Sequence, residues 1–258
     1  MTDLIIHNLL FTLALSLTVQ AVFFACAATL ETDKVTDLSY GLTFVLIAGA
    51  LLLHARRRDA AEVGLAVMVI AWGVRLAGYL VYRIVHMGRD ARFDGIRERF
   101  WRFFTFWLFQ GLAVWVILLP VTLWYSRPGP WNRWMCAGAS IWLVGLIIEA
   151  VADQQKFAFK RGATGRARWT DTGLWRYSRH PNYFGELLCW YGVYVFAAPD
   201  IGAWNAIAVA SPLAITVILL FATGIPTLEA SAQKKWGSDP EYQAYRTRTS
   251  LLVPWFRR

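Results

Sequence analysis

An amide and a carboxylate four residues apart, Asn182 and Glu186, open the apolar run of "GLWRYSRHPNYFGELLCW" (173–190). On a helix that spacing puts both on one face. An ionisable side chain in a membrane span is costly, and its default reading is a functional group facing the bundle interior. An acid beside an amide suits a carboxamide such as that of nicotinamide. His180 and Tyr183 flank the pair, and Arg176 and Arg179 precede it. The plainer alternative is that Glu186 pairs with a nearby arginine and locks helices together.

Upstream, residues 152–182 read "ADQQKFAFKRGATGRARWTDTGLWRYSRHPN". A helix places Asp153, Lys156 and Lys160 on one face, three and four residues apart. Arg161, Arg166 and Arg168 follow, then Arg176 and Arg179. Such a cluster holds phosphates through charge-assisted hydrogen bonds. The alternative is a basic loop that only sets topology.

"RLAGYLVYRIVHMGRD" (75–90) repeats the theme, with Arg75, Tyr79, Tyr82, Arg83 and His86 lining one broad helical face. Snorkelling accounts for Arg83 near a helix end but poorly for Arg75. The tail "EASAQKKWGSDPEYQAYRTRTSLLVPW" places Tyr242 and Tyr245 about a turn apart, before Arg246 and Arg248. It reads either as an amphipathic helix lying on the membrane, with Trp236 and Trp255 at the interface, or as a flap closing over the same pocket.

These groups need elements to hold them. Of the 258 residues, 57% are hydrophobic and only 17% charged, against about 25% charged in an ordinary globular domain. That favours a membrane protein. Spans need about 20 apolar residues. Seven stretches qualify or nearly do: 4–28, 38–54, 61–86, 101–125, 132–151, 183–198 and 204–227. The sixth is short. The first has no basic leader and reads as a retained helix rather than a signal peptide. The expectation is an all-α polytopic bundle of about seven transmembrane helices, one membrane domain over 1–258.

With seven spans, one side carries 18 basic residues and the other 5. The positive-inside rule then puts the C-terminus in the cytoplasm, although the Arg56–Arg58 run falls on the opposite side. The net charge of +9 suits anionic lipid or a phosphorylated small molecule, not nucleic acid. Three scattered cysteines and four scattered histidines suggest neither disulfides nor a metal site.

The stretch 173–190, with "ADQQKFAFK" upstream and "WGSDPEYQAYRTRTSLLVPWF" downstream, resembles the C-terminal half of the steroid 5α-reductases and their bacterial membrane branch. Sterol reductases of the lamin-B-receptor type share this layout. The likeness is good over 145–258 and followable from about 72. Residues 1–60 match only as apolar spans, so 61–258 is the reductase-like region. The resemblance implies a seven-helix bundle that holds NADPH from the cytoplasmic side and passes a hydride to a C=C bond conjugated with a ketone. Carried across, Asp153 and Lys160 fall at the adenosine phosphate end, and Asn182 and Glu186 on the nicotinamide side. Tyr177 matches a loop tyrosine and Tyr245 a pyrophosphate-side tyrosine. Tyr82, His86 and Arg89 fall on cofactor-lining positions, His86 replacing an asparagine. Lys156, Lys160, Arg168, Arg176 and the tail tyrosines Tyr242 and Tyr245 would hold the phosphates, beside His180 and Tyr183.

The Gln-Glu pair that polarises the keto oxygen in the steroid enzymes is missing; the second span ends "LLLHA", and Arg75 stands where the third-span tyrosine is expected. Polarisation would then fall to Arg75, Tyr79 or His54. A cationic arginine stabilises a developing oxyanion, and a tyrosine can deliver a proton. The substrate would be a steroid-like or isoprenoid enone entering from the lipid of a bacterial inner membrane. "RHPNYFG", with Glu229 and "WGSDPEYQAY", also resembles the isoprenylcysteine carboxyl methyltransferases, which bind S-adenosylmethionine.

Overall fold

The computed structural model describes residues 2–30, 32, 35–55, 57–87, 96, 98–162 and 168–255, with the side chains of 83–87 outside that set. The described residues form helices and one isolated parallel bridge, Ser178 to Ser250. The chain is an all-α polytopic membrane protein. Six helical stretches among the described residues are long and apolar enough to cross a bilayer.

The chain divides into two compact units, 1–139 with 193–211, and 140–192 with 212–258. In the first, α1 (Thr2–Thr29), α2 (Thr36–His54), α3 (Ala60–Met87), α4 (Phe100–Ile117) and α5 (Leu119–Ser126) pack together. Asp59 starts α3 by accepting from the amides of Ala61 (3.1 Å) and Glu62 (3.0 Å), which satisfies orphan N–H groups of the first turn. Buried amides join three helices. Gln110 Nε2 donates to Gln20 Oε1 (2.9 Å) and Ser39 Oγ (3.0 Å), and Gln20 Nε2 donates to Thr43 Oγ1 (2.7 Å). Inside lipid such bonds substitute for the weak hydrophobic drive between helices.

The expected span 101–125 is broken. Leu118 separates α4 from α5, and Pro120, which has no N–H to donate, sits in the first turn of α5. All eight residues of α5 are buried.

α6 (Arg133–Gly162) begins in the first unit and continues into the second. Its 30 residues measure about 45 Å at 1.5 Å per residue, more than the ~30 Å hydrocarbon core. Its last turns, with Asp153, Lys156 and Lys160, therefore extend past the apolar length. α7 (Pro181–Ala197) has 17 residues, about 25 Å, and falls just short of a full span, as its sequence suggests.

The last apolar stretch is also broken, into α8 (Asn205–Ala208), α9 (Ala210–Val217), a π turn (Ile218–Ala222) and α10 (Ile225–Trp236). The amides of Thr223 and Gly224 both donate to the Ile218 carbonyl, at 3.1 and 3.3 Å. Pro226 lies in the first turn of α10 and offers no N–H. α11 (Pro240–Arg248) follows, started by Asp239, whose carboxylate accepts from Glu241 N and Tyr242 N.

Candidate functional site

The site grows from the second unit. α6 and α7 approach backbone to backbone at Gly145 and Gly185. A methyl group at Gly185 would stand 2.6 Å from both the Gly145 carbonyl and the Glu149 amide, and one at Gly145 would stand 2.6 Å from the Gly185 carbonyl. Only glycine permits this crossing. It sets Glu186, half-buried, on the residue after the contact, with Glu149 and Asp153 buried along α6.

The loop before α7 is docked onto α6. Gly173 takes φ +60°, and a side chain there would strike Gln155, whose Oε1 accepts from Leu174 N at 2.9 Å. Buried Trp175 donates from Nε1 to the Ala152 carbonyl (2.9 Å), with the Lys156 ammonium 4.6 Å from its ring centroid. The chain then turns through Gly173–Arg176 and presents Ser178, Arg179 and His180 just before Pro181. Ser178 is fully buried; its hydroxyl donates to Leu252 O (2.6 Å) and accepts from His180 N (3.1 Å).

Glu229, on the second turn of α10, is the centre of the cluster. It binds Arg179 Nη1 and His180 Nε2, the latter at 2.9 Å, and Arg246 Nε lies 3.8 Å away. The His180 ring stacks on Tyr183, centroids 5.7 Å apart and planes 12° from parallel. Burial pushes the His180 imidazole below its ordinary value. Its bond to Glu229 and that carboxylate's charge oppose this, and Lys156 and Arg179 add to it. Two buried atoms here have no hydrogen-bond partner: His180 Nδ1 and Arg179 Nε. Unsatisfied buried polar atoms are rare in native structures.

Trp169, Trp236, Tyr242 and Tyr245 close the tail onto the loop, with Trp169 5.1 Å from Tyr242 and 6.1 Å from Trp236 between centroids. Tyr245 donates its hydroxyl to the Trp175 carbonyl at 2.8 Å. Burial pushes the pKa of both tyrosine hydroxyls up. The tail tyrosines, expected at the phosphates, are thus buried at 3% and 4% exposure in an aromatic clamp. Arg168 pairs with Glu241 at 2.8 Å and lies over Trp169, while Arg176 and Lys160 are exposed. Asn182, Tyr183 and Tyr177 are half-buried. The structure therefore gathers Lys156, Tyr177, His180, Tyr183 and the tail residues in one unit with Asp153, Asn182 and Glu186.

The expected catalytic groups are in the other unit. Arg75 and Tyr79 lie one turn apart on α3 and are half-buried; Tyr82 is exposed. His54 is exposed at the end of α2, bonded through Nδ1 to the Ala50 carbonyl at 2.7 Å and in edge contact with Phe11. α3 starts at Ala60, so Arg75 and Tyr79 are about 22 and 28 Å along its axis from the turn that His54 borders. His54 does not share their place on the hairpin. Arg89 and the side chain of His86 lie outside the described residues.

Arg179 stands in the basic cluster of the sequence and Glu229 in the methyltransferase-like signature, but the sequence assigns neither of them, nor Arg246, to the cofactor site. One signal was available. Glu229 is an isolated acid just past an apolar run, the same feature that singles out Glu186.

A protein-family model described as "Protein of unknown function (DUF1295)" matches residues 23–249. No curated protein and no solved structure matches the chain.

Proposed function

The chain belongs to the DUF1295 family, and from that premise we propose that it is an integral-membrane NADPH-dependent reductase of the steroid 5α-reductase type. Its substrate is a lipophilic, steroid-like or isoprenoid enone that enters from the bilayer. The C-terminal tail lies on the cytoplasmic side of a bacterial inner membrane.

The observation that carries this reading is the cluster of Arg179, His180 and Arg246 assembled at the mouth of α7, with Lys156 close by. Two arginines and an imidazole surround the Glu229 carboxylate, so the cluster keeps a positive balance suited to a phosphorylated ligand. The unpartnered His180 Nδ1 and Arg179 Nε fit a ligand with polar atoms of its own. Lys156, Arg176 and Lys160 would hold phosphates, and Asn182 with Glu186 would orient the nicotinamide carboxamide. Bound there, NADPH would supply the hydride for the carbon β to the ketone. On α3, Arg75 would stabilise charge on the substrate oxygen, and Tyr79 would give the proton to the α carbon. The aromatic clamp positions the tail and keeps water from the loop.

Retention of NADP(H) by detergent-purified protein, detected by mass spectrometry after denaturation, tests the reading. Titration calorimetry should show NADPH binding weakened about three- to tenfold by Glu186→Gln, the worth of one hydrogen bond. A well-folded protein with no affinity for NADPH refutes it.

One observation favours a second reading. Glu229 offsets the charge of Arg179, which makes the loop better suited to a zwitterion than a bare arginine pair would be. S-adenosylmethionine in the same extract would assign the chain to membrane methyltransferases of the isoprenylcysteine carboxyl type.

A further inference from the structure

Residues 249–255 leave α11, pair through Ser250 with Ser178 and then bend back over 251–253 beside 177–179. Arg179 N donates to Ser250 O (2.8 Å), Ser178 Oγ to Leu252 O (2.6 Å) and Trp255 N to Tyr177 O (3.3 Å). Here Leu251, Val253 and Trp255 are exposed at 38%, 50% and 69%, whereas Ser250, Leu252 and Pro254 are half-buried. The result is a row of three apolar side chains that the described residues leave uncovered.

Two features of the same unit identify what covers the row. The first is depth. The segment is bonded to residues 177–179, immediately before α7 begins at Pro181, and it follows α10, which emerges from the last apolar stretch. The row therefore stands where apolar helices meet water, the level that tryptophan favours. The second is charge. Lys234 and Lys235 end α10, and Arg246 and Arg248 end α11, all exposed. Of the acids nearby, Glu241 is paired with Arg168, Glu229 with Arg179 and His180, and Asp239 starts α11. The surplus is positive.

We propose that the segment 250–255 is a membrane-interface keel. Leu251, Val253 and Trp255 insert at the headgroup boundary of an anionic leaflet, and Lys234, Lys235 and Arg248 engage its phosphates. The opposite edge of the segment holds the backbone of Tyr177, Ser178 and Arg179, so lipid that seats the keel also steadies the loop carrying His180. This holds whatever the loop binds, and no cofactor enters the test.

The test places a nitroxide at Val253→Cys, in a Cys26→Ser/Cys136→Ser background, in nanodiscs of phosphatidylglycerol with phosphatidylcholine. Collision with oxygen is compared with collision with a water-soluble nickel chelate. Labels at lipid-facing Val217 (53% exposed) and at solvent-facing Glu241 (70% exposed) calibrate the scale. The Val253 label should read like Val217. Replacing Lys234, Lys235 and Arg248 by glutamine, or using phosphatidylcholine alone, should shift it toward Glu241, since each basic residue near an anionic surface is worth about fivefold in partition. A second label at Leu251→Cys should agree. A water-like reading in anionic discs overturns the proposal. So does an equal reading in both lipids, and so does shielding from both reagents, which would mean that protein covers the row.

Discussion

Glu229→Gln should loosen the tail from the loop before α7 without unfolding the membrane helices. Its three partners are unequal. The side chains of Arg179 and His180 are 13% and 6% exposed, so their bonds to Glu229 are made largely out of water. Arg246 is 43% exposed and 3.8 Å away, and such a pair contributes little. A hydrogen bond to a charged group is worth about 1.5–3 kcal/mol. Glutamine keeps one acceptor oxygen, so one of the two bonds survives in weakened form while the Arg179 charge loses its counterion. The net loss is about 2–3 kcal/mol.

That free energy should appear as local opening. The Arg179 amide is closed on Ser250 O and the Trp255 amide on Tyr177 O. Both are released when the tail lifts. A loss of about 2–3 kcal/mol raises the opening constant about thirty- to a hundred-and-fifty-fold, and exchange protection falls in proportion. Hydrogen exchange of detergent-solubilised protein, read on peptides spanning 175–180 and 249–255, measures it, with α4 as the internal reference. Unchanged protection of both peptides in Glu229→Gln would refute the assignment of Glu229 as the clamp. An equal loss in α4 would refute the claim that the effect is local.

Three further perturbations follow from the same geometry. Because burial lowers the His180 pKa, the unfolded chain takes up a proton first as pH falls below about 6.5, and stability drops by up to ~1.4 kcal/mol per pH unit; the thermal midpoint between about pH 7 and 5 should fall in the parent protein and less in His180→Gln. Gly185→Ala pushes a methyl into the Gly145 and Glu149 backbone and should cost about 1–3 kcal/mol, whereas Gly49→Ala, with open space at its Cβ, should not destabilise; equal midpoints in the two would contradict the close crossing. Gln110→Leu strips Gln20 Oε1 and Ser39 Oγ of a donor and should lower the midpoint by the equivalent of about 0.6–1.7 kcal/mol, an effect that leucine's better match to lipid would mask only if the network were loosely made.

Hydropathy located the helices because lipid imposes one rule on every span: backbone groups bond internally and side chains are apolar. It missed the breaks. Pro120, Gly224 and Pro226 stand within or beside uniformly apolar runs, and a window that averages side chains is blind to a missing N–H. The cluster at the mouth of α7 was half legible for a similar reason. Arg179, His180 and Glu186 stand out individually because ionisable groups beside apolar helices are expensive. Their partners do not, because pairing is set by the fold. Glu229 lies 49 residues from His180 and meets it across a kink made by Gly224 and Pro226. Resemblance places Tyr242 and Tyr245 at the phosphates; the sequence itself leaves open a helix lying on the membrane or a flap closing over the pocket, because spacing carries no information on which way a face turns. In the fold that face turns to Trp169 and Trp175, and the hydroxyl of Tyr245 is spent on a backbone carbonyl. His54, Arg75 and Tyr79 are alternatives for one polarising role, taken from where this chain departs from the family it resembles, and the hairpin separates the first from the others because antiparallel helices bring together residues equally distant from their turn. A resemblance can assign roles to positions, but the distances between those positions belong to the packing.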